Sequence, residues 1–344
     1  MSTPMTPLVP AAIRARTRPL AILYVYLAEL MWALLVATPV HAWARRAWGA
    51  HPDGDAVLWM PGGRDLLVWL GQEDAAIAVV SRTVMVLIVV GAIAMQVPLG
   101  ALIASLAFAR GGEAAGADSR RAPRWQAALR VGIGAFLPLA GVLALGSIAA
   151  VVVLAIGGFA ASAVDHGLAE RLGDARSFQL RLVAFALFAL LAAAIGVVVD
   201  LARAAIARDV GLATAQGTLA PGWTTMLRGL RTAFAVARRH IGAATLAWGV
   251  RALLSLALIA VVGVAYVQAL GGKGGGALLL LWLAHQGVVL CRVALRASWL
   301  ARAIAFIAPV QDARNAARAE ASAPSDTLAP EVVREPAPEL PKLG

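Results

Sequence analysis

The chain has very little cysteine, lysine or acid. Cys291 is the single cysteine and lies in an apolar stretch, which excludes disulfides, cysteine-ligated zinc clusters and catalysis by a thiol pair. Of 30 basic residues only Lys273 and Lys342 are lysines, and Ala, Gly, Val and Leu dominate, a composition expected of a GC-rich bacterial source. Walker A, HExxH, GxSxG and CxxC motifs are all absent, so no phosphate-binding loop, zinc-protease helix, nucleophile elbow or redox pair can be read from the chain. Charged residues make up 14% of the sequence, too few to cover a water-soluble globule of this size.

What is present is apolar: 60% hydrophobic residues with a mean hydropathy of +0.78. Such a chain belongs in lipid. A hydrocarbon core about 30 Å thick needs roughly 20 helical residues, and six runs meet that length: residues 19–40, 76–108, 128–164, 178–200, 241–270 and 277–296. The expected fold is an all-α, polytopic transmembrane bundle. Arg14, Arg16 and Arg18 before the first run imitate a signal peptide, but the run is too long and contains Glu29, so it reads as an uncleaved first span. The second and third runs exceed the need, and Pro98 and Pro138 are the expected kink sites.

The net charge of +11 would suggest nucleic acid in a soluble domain. Here the arginines flank apolar spans, where the positive-inside bias and anionic headgroups account for them, so nucleic acid is not an expected partner. Assigning the N-terminal tail, residues 109–130, residues 201–240 and the C-terminal tail to one side places nineteen Lys and Arg there against seven on the other. Both termini are therefore expected in the cytoplasm of a bacterium whose inner membrane the chain crosses, with residues 1–18 a tail, 19–310 the membrane domain and 311–344 a disordered cytoplasmic tail rich in Pro, Ala and acid.

Between the spans, residues 41–75 hold Trp43, Trp48, Trp59 and Trp69 and suggest a re-entrant or interface-lying helix. Residues 271–276 form a glycine-rich turn joining the last two spans. From Trp223 to His240, Met226, Leu227, Leu230 and Phe234 oppose Arg228, Arg231, Arg238 and Arg239, the profile of a helix on the inner leaflet. Trp125, Leu129, Arg130, Ala135 and Phe136 recur 98 residues later as Trp223, Leu227, Arg228, Ala233 and Phe234, and Ala109-Arg110 recurs as Ala207-Arg208, which is compatible with a parallel internal repeat of the transporter type.

Three ionisable residues interrupt the apolar runs. Counting about 1.5 Å per residue, Glu29 and Arg251 lie about 14 and 15 Å from the cytoplasmic side and His285 about 12 Å from the outer side. An isolated charge there costs at least ~2.5 to 3.5 kcal/mol on insertion scales, so the expected solution pairs Glu29 with Arg251 while His285 and Gln286 add hydrogen bonds. Such a cluster is either a substrate or proton site or a polar lock holding the first, fifth and sixth helices in register. Nearer the cytoplasmic face, Asp200 and Arg203 at i, i+3 and Arg292 and Arg296 at i, i+4 each present their charges on one helix face. They could contact an anionic headgroup or phosphate, or serve as snorkelling anchors with one salt bridge. His51, Asp53 and Asp55 fall in a Pro-Asp-Gly turn, which explains them without a metal, and no cofactor is expected.

The descent from Pro98-Leu99-Gly100 to Ala109-Arg110-Gly111-Gly112, the Asp200-Leu201-Ala202-Arg203 ending of the fourth span and the Arg238-Arg239-His240 opening of the fifth give a layout that resembles six-helix bacterial integral membrane proteins. More distantly it resembles the membrane domain attached to some glycerophosphoryl diester phosphodiesterases. The resemblance implies a helical membrane domain. The catalytic phosphodiesterase domain has no counterpart, so no enzymatic residue carries over. The expected function is non-enzymatic: binding or transport of a small or lipid-like ligand, or alternatively a membrane scaffold or assembly subunit whose partners are lipids and other membrane proteins.

Overall fold

A computed structural model describes residues 5–8, 13–48, 74–110, 122–218, 222–269 and 275–322. The chain is a multi-pass helical membrane bundle. Its helices are α1 (Pro19–Trp48), α2 (Asp74–Ala94), α3 (Gln96–Ala107), α4 (Trp125–Gly134), α5 (Phe136–Leu172), α6 (Asp174–Ala215), α7 (Gly222–Ala269) and α8 (Gly275–Ser322). Two three-residue strands, β1 (Met5–Pro7) and β2 (Phe108–Arg110), pair antiparallel with Thr6 opposite Ala109. Among the described residues six helical stretches are long and apolar enough to cross a membrane: α2 and α3 together supply one, and α1, α5, α6, α7 and α8 supply the others.

The helical run is interrupted near both expected kink sites, in each case three residues before the proline. The helical run breaks at Met95, between α2 and α3, and at Ala135, between α4 and α5. A proline ring has no N–H to donate and clashes with the carbonyl four residues upstream, so the disruption falls before it. Pro98 and Pro138 then sit in the first turn of the following helix, where a missing N–H costs nothing. The ladder resumes at once, with Leu99 N donating to Met95 O at 3.1 Å and Leu139 N to Ala135 O at 2.9 Å. A third break, at His240 (φ −132°, ψ 19°), divides α7 into an amphipathic first part and its membrane span.

The bundle is packed unevenly. In the apolar windows of α1, α2, α5, α6 and α7 at most 11% of the residues are buried inside the protein, and side chains such as Phe159, Leu182 and Leu246 are exposed. That surface suits lipid, which solvates apolar side chains as well as a protein neighbour does. The buried core instead gathers toward one end, from α3, α4, residues 197–210 of α6, the first part of α7 and residues 293–308 of α8. There α4 crosses α3 at backbone distance: a Cβ on Gly132 would lie 2.5 Å from the Val97 carbonyl oxygen, and one on Gly100 would lie 3.0 Å from the Gly132 Cα.

This end also holds the N-terminal segment. Arg18, 3% exposed, donates from Nε to Ser105 O at 2.6 Å and from Nη2 to Phe108 O at 3.3 Å. It thereby satisfies carbonyls that the C-terminus of α3 leaves without helical partners. Burial lowers the Arg18 pKa from its ordinary value.

Helix α8 corrects the expected domain boundary at residue 310. It is 48 residues long, about 72 Å, and its continuation past the apolar run is structural. Arg208 of α6, 1% exposed, donates to Gln311 Oε1 at 3.1 Å and to Asp312 Oδ1 at 2.7 Å. Gln311 donates in turn to Ala205 O and to Asp209 Oδ1, each at 2.9 Å, and Arg314 reaches Asp209 Oδ2 at 3.4 Å. Residues 311–322 are therefore ordered helix. The remainder of the expected tail (323–344), most of the tryptophan-rich loop (49–73) and residues 271–274 of the glycine turn lie outside the described residues, while Gly275 and Gly276 begin α8.

The two stretches compared at an offset of 98 residues bury several positions in common. Ala128, Val131, Ala135, Pro138 and Leu139 are buried, and so are their counterparts 98 positions on, Met226, Gly229, Ala233, Val236 and Ala237. Trp125 and Trp223 are both exposed. Ala109-Arg110, however, belongs to β2, whereas Ala207-Arg208 lies inside α6.

Two stability predictions follow from this packing. Gly132→Val forces α3 and α4 apart and is expected to cost about 1 to 3 kcal/mol, read as a lower thermal midpoint of the detergent-purified protein. Gln311→Leu leaves the Arg208 guanidinium and the Ala205 carbonyl short of partners, at a cost of roughly 2 to 3 kcal/mol; Glu320→Gln, on the exposed end of α8, is the neutral control in the same melt.

Candidate functional site

The charged residues of the two expected sets meet, with one exception, around one cavity. It has a volume of about 600 Å³ and lies between α1, α5, α6, α7 and α8. Glu29, Asp200, Arg203, Arg251, Arg292 and Arg296 all line it, together with Ser147, Trp248, Ser255 and Trp299. The remaining wall is largely aliphatic, from residues such as Leu143, Ile195, Val199 and Ile259.

Glu29 finds a partner, but not the expected one. Its Oε1 is 3.8 Å from Arg296 Nη1, a loose pair in which both side chains are about a third or more exposed. Arg251 instead donates from Nη1 to Ala247 O at 2.6 Å and from Nε to Ser298 Oγ at 3.1 Å. A guanidinium on a long stem can reach back along its own helix for a carbonyl, which places the charge nearer the polar end. Gln286 accepts a hydrogen bond from Tyr26 at 3.0 Å. The first, fifth and sixth spans are thus tied together through Tyr26–Gln286, Glu29–Arg296 and Arg251–Ser298.

His285 stands apart. It is exposed in a separate groove of about 590 Å³ between α7 and α8, lined by Ile259, Val262, Leu281, Trp282 and Arg292. Arg292 borders both spaces. Depth counted from each hydropathy boundary separately placed His285 beside Glu29. The helices are longer than their apolar runs, so those boundaries do not lie in one plane.

Asp200 and Arg203 form the pair their spacing suggested, at 2.9 Å and with both residues buried. The second oxygen of Asp200 accepts from Trp299 Nε1 at 3.0 Å, so this carboxylate is committed on both sides. Arg203 is not: among the described residues its buried Nε has no hydrogen-bond partner. Among the described residues four guanidiniums therefore face the cavity against two carboxylates, one fully engaged and one loosely held. A space of this size with apolar walls and a few convergent polar groups suits a small or amphiphilic ligand, and its charge favours an anion. Among the described residues no group of three or more His, Cys, Asp and Glu could hold a metal ion; His51, Asp53 and Asp55 lie outside the described residues.

In the first part of α7 the face that packs inward carries Thr225, Met226, Gly229, Ala233 and Val236, while Trp223, Leu227 and Phe234 are exposed. Apart from Met226 that inward face is made by small or β-branched residues, and the amphipathic pattern alone did not distinguish it from the bulky one. Sequence reasoning also missed Trp299, because an indole at a helix position reads as packing until its N–H is found on Asp200. Comparison of the chain with protein-family models, with curated proteins and with solved structures yields no match.

Proposed function

We propose that the chain is a non-catalytic protein of a bacterial inner membrane that holds an anionic, lipid-like ligand in the arginine-lined cavity. The observation that carries this reading is the excess of guanidinium over carboxylate around the cavity, with Arg203 Nε buried and without a partner. Guanidinium forks match phosphate and carboxylate oxygens in pairs, and the aliphatic wall supplies a surface for a chain. The nineteen-to-seven distribution of basic residues supports placing the densely packed end in the cytoplasm.

Native mass spectrometry of the protein released from its own membrane tests the proposal: a retained anionic lipid or amphiphile is expected. Replacing both Arg292 and Arg296, which are exposed, with Gln removes two charge-assisted contacts and should lower retention by about a hundredfold. The double variant Asp200→Asn/Arg203→Gln, which leaves no buried charge unpaired, should also lose the ligand. An empty cavity with a stoichiometric protein partner would instead favour the scaffold alternative.

Glu29→Gln distinguishes a lock from a binding site. A loose, partly exposed ion pair contributes about 0 to 1 kcal/mol, so the thermal midpoint should hardly move. Removing a negative charge from the cavity should at the same time raise anion retention. A large drop in the midpoint with unchanged retention would identify the residue as a helix lock.

A further inference from the structure

A second cavity, about 620 Å³, lies on the other side of Arg251. Among the described residues its charged lining consists of Arg14, Arg16, Arg251 and Arg302, with no carboxylate. Ile13, Ile22 and the small residues of α8, Ala294, Ala301 and Ala305, complete its wall. The N-terminal segment thus forms one side and α8 the other, and the segment is held there by structure: β1 pairs with β2, Leu8 N donates to Ala107 O at 2.9 Å, and Arg18 is anchored to α3.

The four cations are weakly compensated. Among the described residues Arg14, Arg16 and Arg302 have no carboxylate partner. Arg302 lies over the Phe306 ring at 5.1 Å, and Arg251 is held by neutral acceptors, Ala247 O and Ser298 Oγ. Arg14, Arg16 and Arg302 are exposed and Arg251 is half-buried; gathering like charges around one concave space raises their energy, and an anion with several oxygens lowers it most, because each guanidinium can donate to it in pairs.

We infer that this cavity is a binding site for a phosphate group, presented either by an anionic phospholipid of the adjoining leaflet or by a free phosphate compound. It is separate from the interior cavity, which has its own charged residues apart from the shared Arg251. The small side chains on α8 leave room for the group, and Ile13 and Ile22 border it with apolar surface that an acyl chain can follow. Arg251 forms part of both walls, so the two spaces adjoin through one guanidinium.

The test uses the full-length protein in neutral detergent carrying Arg292→Gln/Arg296→Gln, so that the interior cavity contributes little. Binding of dioctanoyl phosphatidylglycerol, dioctanoyl phosphatidylcholine and inorganic phosphate is measured by native mass spectrometry. Saturable binding of phosphatidylglycerol over phosphatidylcholine is expected, weakened about tenfold or more by Arg302→Gln and again by Arg14→Gln/Arg16→Gln. Displacement by inorganic phosphate would identify the phosphate group as sufficient; failure to displace, with the lipid still selected, would identify the lipid as the ligand. Either result supports the site.

The Arg14→Gln/Arg16→Gln variant should melt no lower than its parent when no anion is added, since it loses repulsion and no ion pair; a lower midpoint without ligand would mark these arginines as structural and overturn the inference. Equal binding of the two lipids, or phosphatidylglycerol and phosphate binding that these substitutions leave unchanged, would also overturn it. Because Arg14, Arg16 and Arg302 do not line the interior cavity, this result is independent of whether that cavity holds a ligand.

Discussion

The enclosed guanidinium of Arg208 sets the conditions for the rest of the bundle. An unpaired charge in a dry interior is far too costly to keep, so Arg208 requires Gln311 and Asp312, and they can reach it only if α8 stays helical well beyond the length that lipid demands. Gln311 also donates to Ala205 and Asp209, which fixes α8 against α6 in both rotation and height. Arg314, near Asp209 and Thr232, brings α7 into the same arrangement. The fourth, fifth and sixth spans are therefore held in register at one end.

That constraint explains where open space occurs. At the fixed end small residues allow backbones to meet, as at Gly100 and Gly132, and the core is dense. Farther along, lipid competes equally for apolar side chains and there is no hydrophobic force to close the helices on each other. Polar contacts between neighbours, such as Tyr26–Gln286 and Arg251–Ser298, then decide the spacing. Cavities lined by arginine lie in this transition, where a long stem can remain among apolar side chains while its head reaches polar surroundings. The near-absence of lysine fits the same requirement, since guanidinium keeps its charge when partly desolvated and offers a planar fork instead of a point charge.

Hydropathy made the spans legible because lipid thickness imposes a length that no soluble helix needs to match. Helix spacing made Asp200–Arg203 legible, because i, i+3 proximity is local. The partner of Glu29 was not legible: choosing Arg296 over Arg251 depends on the relative heights of three helices, and those heights are set by contacts beyond the apolar runs. The same gap hid residues 311–322. Their composition resembles that of a solvated tail, and only a buried arginine a hundred residues earlier makes Gln311 a core residue. Proline signalled the breaks at Met95 and Ala135, at positions displaced upstream because the ring acts on the preceding turn, whereas the break at His240 has no proline to mark it.

The second and fourth spans differ in how their ends are closed. After the second span the chain turns from helix into β2, so the terminal carbonyls of α3 need a donor from elsewhere, and Arg18 of the N-terminal segment provides it. After the fourth span the helix continues instead, and the aligned position carries Arg208, a donor within the element itself that acts on α8. In one half an arginine is brought to the helix end, and in the other the helix carries its own arginine to a partner. The amphipathic segments that follow, from Trp125 and from Trp223, bury matching positions against these two different closures. The two segments thus bury corresponding positions although the backbone before them differs, because each end is stabilised by whichever charged side chain can reach it.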